Sequence, residues 1–402
     1  MRRAALAWRL VGLGIAVVAA SCTPLFADSG EALSLGATGT VSSYLQLSYP
    51  QSALYGRLED PAVAAACESV ASISAQSPSL LFRLRVAALA QGDKPSTIDP
   101  TDASNLLSFE VREAETAILP SPSFAIRGGM LLRNFSVGSY GSPANPFARD
   151  VDQGGFWGLD AEWTPGSSLS ALAILSADRT ARRGSFDGPK DFDAGALLRF
   201  SPGALDAAAG LYASGAGDGE VRPVAYCSVP VLGLLASLEA AVSLPLGLAA
   251  SSAGAGDGSS SESLRFELRK SLDVGQTSIE LGAAYRGIFP GRSAGEVAAL
   301  AAQTAVSGPP ALPFAPFYGR NYAELSLYAE KTNAFSLTSA ASLAIPWGSV
   351  TTDTKVELYA GDAGIFVRVQ WIDGAAQGEF NTLARAEGLS LLVLWTGVEF
   401  SF

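Results

Sequence analysis

Ionisable side chains in this sequence stand at alternate positions of short apolar segments, and that spacing limits the chemistry open to them. The cations of most interest are Arg83, Arg85, Arg112, Arg127, Arg133 and Arg368, with Glu110, Asp160 and Glu162 as the carboxylates placed to meet them. The chain has no histidine, which excludes imidazole acid–base pairs, Ser–His triads and the commonest metal ligand together. Cys67 and Cys227 are too few and too far apart for a disulfide framework. The loop acids Asp93, Asp99, Asp102, Asp150, Asp152, Asp218 and Asp257 have no calcium-loop spacing. Neither a metal nor a cofactor is expected. The remaining chemistry is electrostatic: guanidinium and carboxylate groups facing water can attract and orient charged solutes. A second use stays open, in which the same arginines pair with Glu110, Asp160 and Glu162 and only stiffen a wall.

Alternation identifies the elements that must carry these groups. Leu264, Phe266 and Leu268 share one parity while Arg265, Glu267 and Arg269 take the other. After Asp273–Gln276, Ile279, Leu281, Ala283 and Tyr285 alternate with Glu280 and Arg286. This is a hairpin with one apolar and one charged face. The pattern recurs from residue 80 to 402 and predicts about sixteen strands, from 80–90, 104–118 and 123–136 through 354–360, 365–372 and 389–402. Glu113 and Glu115 fall on the parity of Phe109 and Val111, so a bulge is expected within 113–117. Segment 169–177 alternates poorly. Short links such as 165–168, 201–203 and 273–276 take turns with long ones such as 137–154, 290–320 and 373–388. That alternation belongs to a transmembrane barrel with tight turns on the periplasmic side. The predicted fold is therefore all-β, an antiparallel up-and-down barrel of about sixteen strands, within a range of fourteen to eighteen.

The charged parity collects Arg199, Arg265, Arg269, Arg286 and Lys355 besides the six arginines above. Against them stand Asp193, Glu239, Glu267, Glu280, Glu324, Glu330, Glu357 and Glu399 besides the three carboxylates, which gives near balance. So many ions in a dry core would each cost several kcal/mol even when paired, so a water-filled interior is expected. In a sixteen-stranded register the six arginines become neighbours when the barrel closes and form a basic arc at its seam.

Composition agrees. Hydrophobic residues are 48% of the chain and charged residues only 16%, yet no run beyond the N-terminus reaches the roughly 20 apolar residues of a spanning helix. A net charge of -11 excludes nucleic acid as a partner. Trp157, Phe192, Phe289, Trp347 and Trp371 mark one end of the predicted strands; Phe124, Trp163, Phe200, Phe335 and Phe400 mark the other. Two interfacial girdles follow.

The last segment places Leu392, Leu394, Val398, Phe400 and terminal Phe402 on one parity, interrupted at Thr396–Gly397. This ending resembles that of the bacterial outer-membrane β-barrel superfamily, porin-like in layout and without the signature of a specific family. The resemblance implies outer-membrane location, lipid as the surrounding partner and recognition of the final strand, ending in Phe402, by the barrel assembly machinery. It also implies passage of small solutes rather than catalysis, and it admits a homo-oligomer.

Residues 1–27, with Arg2 and Arg3 before an apolar stretch from Leu10 to Ala20, read as a signal peptide. Its cleavage falls after Ala27 or before Cys22. Residues 28–79 read as a separate N-terminal segment, periplasmic or a lumen plug, with an extended piece at 41–48 and a short Ala-rich helix at 60–73. Residues 80–402 are the barrel. The leading function is a diffusion channel for small hydrophilic solutes. The alternatives are a plugged transporter of hydrophobic compounds, similar in layout to long-chain fatty-acid transporters, and a surface adhesin or structural barrel. Barrel phospholipases and omptin-type proteases use histidine, so only a carboxylate hydrolase remains on the enzyme side. A soluble propeller would need an internal repeat, and none is present.

Overall fold

The structure, a computed structural model, describes residues 34–49, 62–92, 107–131, 156–177, 192–215, 219–245, 261–291, 295–296, 321–345, 348–374, 380 and 391–401. Nearly all are extended. The first nine strands are β1 (Ser34–Tyr49), β2 (Ala62–Gln76), β3 (Leu80–Gly92), β4 (Leu107–Ser121), β5 (Phe124–Leu131), β6 (Phe156–Gly166), β7 (Leu169–Ser176), β8 (Asp193–Phe200) and β9 (Asp206–Ser214). The second nine are β10 (Glu220–Val231), β11 (Leu234–Pro245), β12 (Ser261–Val274), β13 (Thr277–Phe289), β14 (Asn321–Lys331), β15 (Phe335–Ile345), β16 (Ser349–Ala360), β17 (Ala363–Gly374) and β18 (Leu392–Ser401). Each pairs antiparallel with its chain neighbours. β1 pairs with β18 from Thr40↔Ser401 to Tyr49↔Leu392, and this closes the barrel. With strands roughly 4.8 Å apart and tilted roughly 40°, the backbone cylinder is on the order of 18 Å in radius.

The count is eighteen, two more than the sixteen read from the alternation and at the upper bound of the expected range. The two extra strands come from the segment read as a separate plug or periplasmic piece. Residues 34–48 pair with 62–76, and 65–76 pair with 81–92, so both strands are wall. The Ala-rich tract read as a helix is β2. Its small residues have helical propensity in isolation, but it is paired along its length with β1 and from Ala65 onward with β3, and tertiary pairing prevails. The arginines of β3 therefore do not meet Arg368 of β17 at a seam: β18, β1 and β2 stand between them.

The links after even-numbered strands hold two to five residues, while seven of the nine on the other end hold 12 to 31. The hairpin of β12 and β13 turns on Gly275–Gln276, where Gly275 has φ 65, and it sets Phe266 opposite Tyr285 and Arg265 opposite Arg286. The bulge lies at Arg112, one residue before the 113–117 stretch where it is expected: Arg85 faces Glu113 while Val86 faces Val111, leaving Arg112 as the extra residue. It shifts the parity, so Val111 points outward while Arg112 and Glu113 are both buried inside. β7 alternates poorly because its inward side chains Leu172 and Ile174 belong to an apolar patch of the inner wall.

Polarity is inverted relative to a soluble core. Leu159, Leu198, Leu211, Leu325, Leu358 and Ile365 are each more than half exposed on the outer surface, while Glu113, Glu115, Asp160, Glu239, Arg265 and Arg286 are buried inside. Both described cysteines, Cys67 and Cys227, are free and exposed. No described helix is long and apolar enough to cross a membrane.

Trp157 and Trp163 are exposed at opposite ends of the outer face of β6, with Phe289 at the long-link end and Phe200 and Phe400 at the short-turn end. At about 3.3 Å per residue the two tryptophans sit roughly 20 Å apart, a spacing suited to the two interfaces of one bilayer. Variants retaining only Trp157 or only Trp163 are expected to be quenched more by lipids brominated near the headgroup than by lipids brominated at the acyl terminus. Equal or reversed quenching would place them away from the interfaces. Trp347, Phe402, Arg133 and residues 1–27 and 297–320 lie outside the described residues.

Candidate functional site: the ion-lined lumen

Inward-facing ions fall into four groups around the wall. The first spans β2 to β6. Arg127 meets Asp160 at 3.0 Å, Glu162 at 2.8 Å and Glu115 at 3.7 Å. Arg83 and Arg85 share Glu113 at 3.2 and 3.8 Å, and Arg112 lies between Glu110, at 3.4 Å, and Glu68. The Arg112 bulge makes this possible by turning two successive charges inward. Five of the six predicted arginines are described, and four of them gather here with all three predicted carboxylates; Arg133 is outside the described residues. Arg368 stands apart, held in a two-point pair by Asp353 at 2.9 and 2.6 Å and stacked over the Trp395 ring at 5.4 Å.

The pairing alters the expected electrostatics. Four arginines in the first group face six carboxylates, Glu68, Glu110, Glu113, Glu115, Asp160 and Glu162. The tract expected to be a basic arc is a braced ladder with a carboxylate excess. Of the two uses open at the outset, the pairing that bracing needs is present here.

The second group spans β10 to β14. Arg265 is its hub, with Glu267 at 2.8 Å, Glu324 at 2.9 Å and Glu239 at 3.3 Å. Arg286 reaches Glu324 at 2.7 Å, and Arg269 reaches Glu267 at 3.0 Å and Glu280 at 3.5 Å. Arg222 and Glu220 share the inward parity of β10. The third group is smaller: Arg199 forks onto Asp206 at 2.7 and 2.8 Å, Ser201 donates to the same carboxylate, and Asp193 faces inward on β8. The fourth, at the short-turn end of β14 to β18, contains Arg368 with Asp353 and Lys355 with Glu357 at 2.7 Å. Tyr359 donates to Glu357 at 3.0 Å and Tyr328 donates to Glu330; Glu399 is on the inward parity of β18.

Sequence reading missed Glu68, Glu113, Glu115, Asp206, Glu220, Arg222 and Asp353 as inward ions. Glu68 sits in the tract read as a helix, and Glu113 and Glu115 lie on the far side of the bulge. The alternation of Glu220 with Arg222 was a usable signal just outside the strand boundary.

The inner wall is not uniformly wet. Leu131, Phe156, Ile174, Leu197, Tyr212 and Val224 form a buried apolar patch on β5 to β10, although all face inward. Tyr322 on β14 is also fully buried. Phe380, in the link after β17, lies with its ring centroid 6.2 Å from that of Tyr322, and its N–H donates to Ser349 Oγ at 3.4 Å. The lumen is thus packed towards the long-link end and narrower than the backbone cylinder. Among the described residues no cluster of three metal-ligating side chains occurs.

A closed, antiparallel wall of eighteen strands with hydrocarbon side chains outside and ions inside defines a transmembrane β-barrel of the outer-membrane porin fold. Solved structures of that fold resemble this one over most of their length. OccAB1 of Acinetobacter baumannii matches with TM-score 0.56 and 10% identity over 91% of this chain and 96% of that one. OpdQ of Pseudomonas aeruginosa matches with TM-score 0.55 and 10% identity over 92% and 97%. The outer membrane protein opdK of Pseudomonas aeruginosa matches with TM-score 0.51 and 12% identity over 91% and 99%. At such identities the likeness is one of fold. No protein-family model matches the chain, nor does any curated protein sequence.

Proposed function

We propose that this chain is a channel of the bacterial outer membrane through which small hydrophilic solutes diffuse passively. The observation that carries the reading is the inverted polarity of a closed wall. Ions such as Arg127, Asp160, Arg265 and Glu324 line the interior in braced networks, and leucine, isoleucine and aromatic side chains cover the exterior. An interior of this kind accommodates water, and a closed barrel leaves no strand edge unpaired in lipid. The resemblance to solved outer-membrane barrels supports the same location. No catalytic step is proposed; the ions are arranged to hold a wall and to present charge. The lipid-facing exterior and the final strand fit insertion by the barrel assembly machinery, which is part of the proposal.

The plugged-transporter alternative relied on residues 28–79 as a removable plug, whereas their described parts supply β1 and β2. Deleting them is expected to abolish the barrel rather than open it. The decisive test is single-channel recording of the full chain in planar bilayers. Steady conductance below that of an unobstructed eighteen-stranded cylinder is expected, because the long-link end is packed. A folded, inserted barrel without conductance would favour a surface-binding or structural role instead.

A further inference from the structure

We infer that the channel prefers small cations over anions; this rests on the channel reading above. The inference comes from a census that only the structure permits. Each of the four inward-facing groups carries more carboxylates than cations. Together the four groups hold eleven cations and seventeen carboxylates, an excess of six. None of the four described groups has a cation surplus that would offset another.

Exposure within the groups points the same way. Of the side chains in the ion pairs, the most water-exposed is Glu110 at 52%, followed by Glu280 at 43%. The most exposed cation is Arg83 at 41%, and it is bonded to the buried Glu113. Arg112, Arg127, Arg265 and Arg286 keep their guanidinium groups within the wall, each engaged by carboxylates. Buried, paired guanidinium contributes little to the field in the lumen, whereas a carboxylate that reaches water contributes more. In a lumen walled by low-dielectric lipid and protein, an uncompensated negative charge raises the local concentration of cations. The acidity of the whole chain, -11, does not oppose it.

The test is the reversal potential of the refolded full chain in a planar bilayer under a potassium chloride gradient. At about 0.1 M salt the expected cation-over-anion permeability ratio is on the order of 5. It should fall towards 1 as salt approaches about 1 M and the screening length shrinks to about 3 Å. The triple variant Glu110→Gln, Glu162→Gln, Glu280→Gln, checked for heat-modifiable migration so that a folding failure is recognised, should lose at least half of the preference. Conductance with no preference, or with anion preference, would overturn the inference and leave the channel reading intact. A folded, inserted barrel that does not conduct would overturn both. A triple variant that folds, conducts and keeps its full preference would overturn the assignment to these wall carboxylates.

Discussion

Replacing Arg265 by methionine is expected to destabilise the folded barrel by about 3–5 kcal/mol, the cost of removing one partner from a buried ion network. The guanidinium is 5% exposed and is the common partner of Glu239, Glu267 and Glu324, which come from three different strands. Without it, three carboxylates, two of them almost fully buried, face one another, with Arg286 still paired to Glu324 and Arg269 to Glu267. Urea unfolding from lipid vesicles should report the loss, and the unfolded form should appear at lower temperature on heat-modifiable gels. Arg269→Met provides the contrast. That side chain is 33% exposed at the edge of the same network, and its removal should cost about 1 kcal/mol or less. Adding Glu239→Gln and Glu324→Gln to Arg265→Met should recover much of the loss, because the penalty arises from uncompensated charge. A stability equal to that of the parent for Arg265→Met alone would mean that water in the lumen screens this network completely.

Gly397→Val is the second large effect, and it acts at the seam. Gly397 on β18 pairs with Tyr44 of β1 and with Phe366 of β17. A Cβ there would lie 2.3 Å from the carbonyl oxygen of Ser43 and 2.7 Å from Tyr44 Cβ. Backbone cannot yield to such a contact without separating β1 from β18. The rings of Tyr44 and Phe366, with centroids 6.3 Å apart, flank the bare glycine, as aromatic neighbours do for glycines in curved sheets. A branched side chain should destabilise the barrel by about 3 kcal/mol or more and slow or prevent closure. The readout is the heat-modifiable fraction after refolding, with Thr396→Val beside it as a control whose side chain is on the outward parity. A normal folded yield for Gly397→Val would show that the seam tolerates a shift of register there. In sequence the Thr396–Gly397 pair looked like a small defect in an otherwise apolar last strand. Its glycine is the position where the absence of a side chain lets β1 approach β18.

How far the sequence can be read depends on whether a feature is local. The β12–β13 hairpin was legible residue by residue, since Phe266 and Arg265 differ in parity and parity alone decides which faces lipid. The same holds for Trp163, Phe200 and Phe400 at one end, and for the five described arginines of the predicted lining, all on strands whose direction was correctly read. Glu113 lies inside for a reason that alternation could not supply, because the bulge that puts it directly after the inward Arg112 is a feature of the β3–β4 register. β2 was lost because alanine and serine carry little hydrophobic contrast between faces, so neither the 2-residue nor the 3.6-residue period stands out.

The sequence by itself determined the material of the wall: apolar outward positions, ionic inward positions, tight turns at one end and long links at the other, and the absence of imidazole chemistry. Only the tertiary structure decided which ions meet. Arg265 finds Glu239 and Glu324 across neighbouring strands, and Arg368 pairs with Asp353 rather than joining the arginines of β3 to β5. The carboxylate excess of the wall followed from those meetings and from seven inward ions that the reading of the charged parity had left out. Parity is a local property of the chain, whereas partner and net field depend on strand register and strand count, which are set when the last strand pairs with the first.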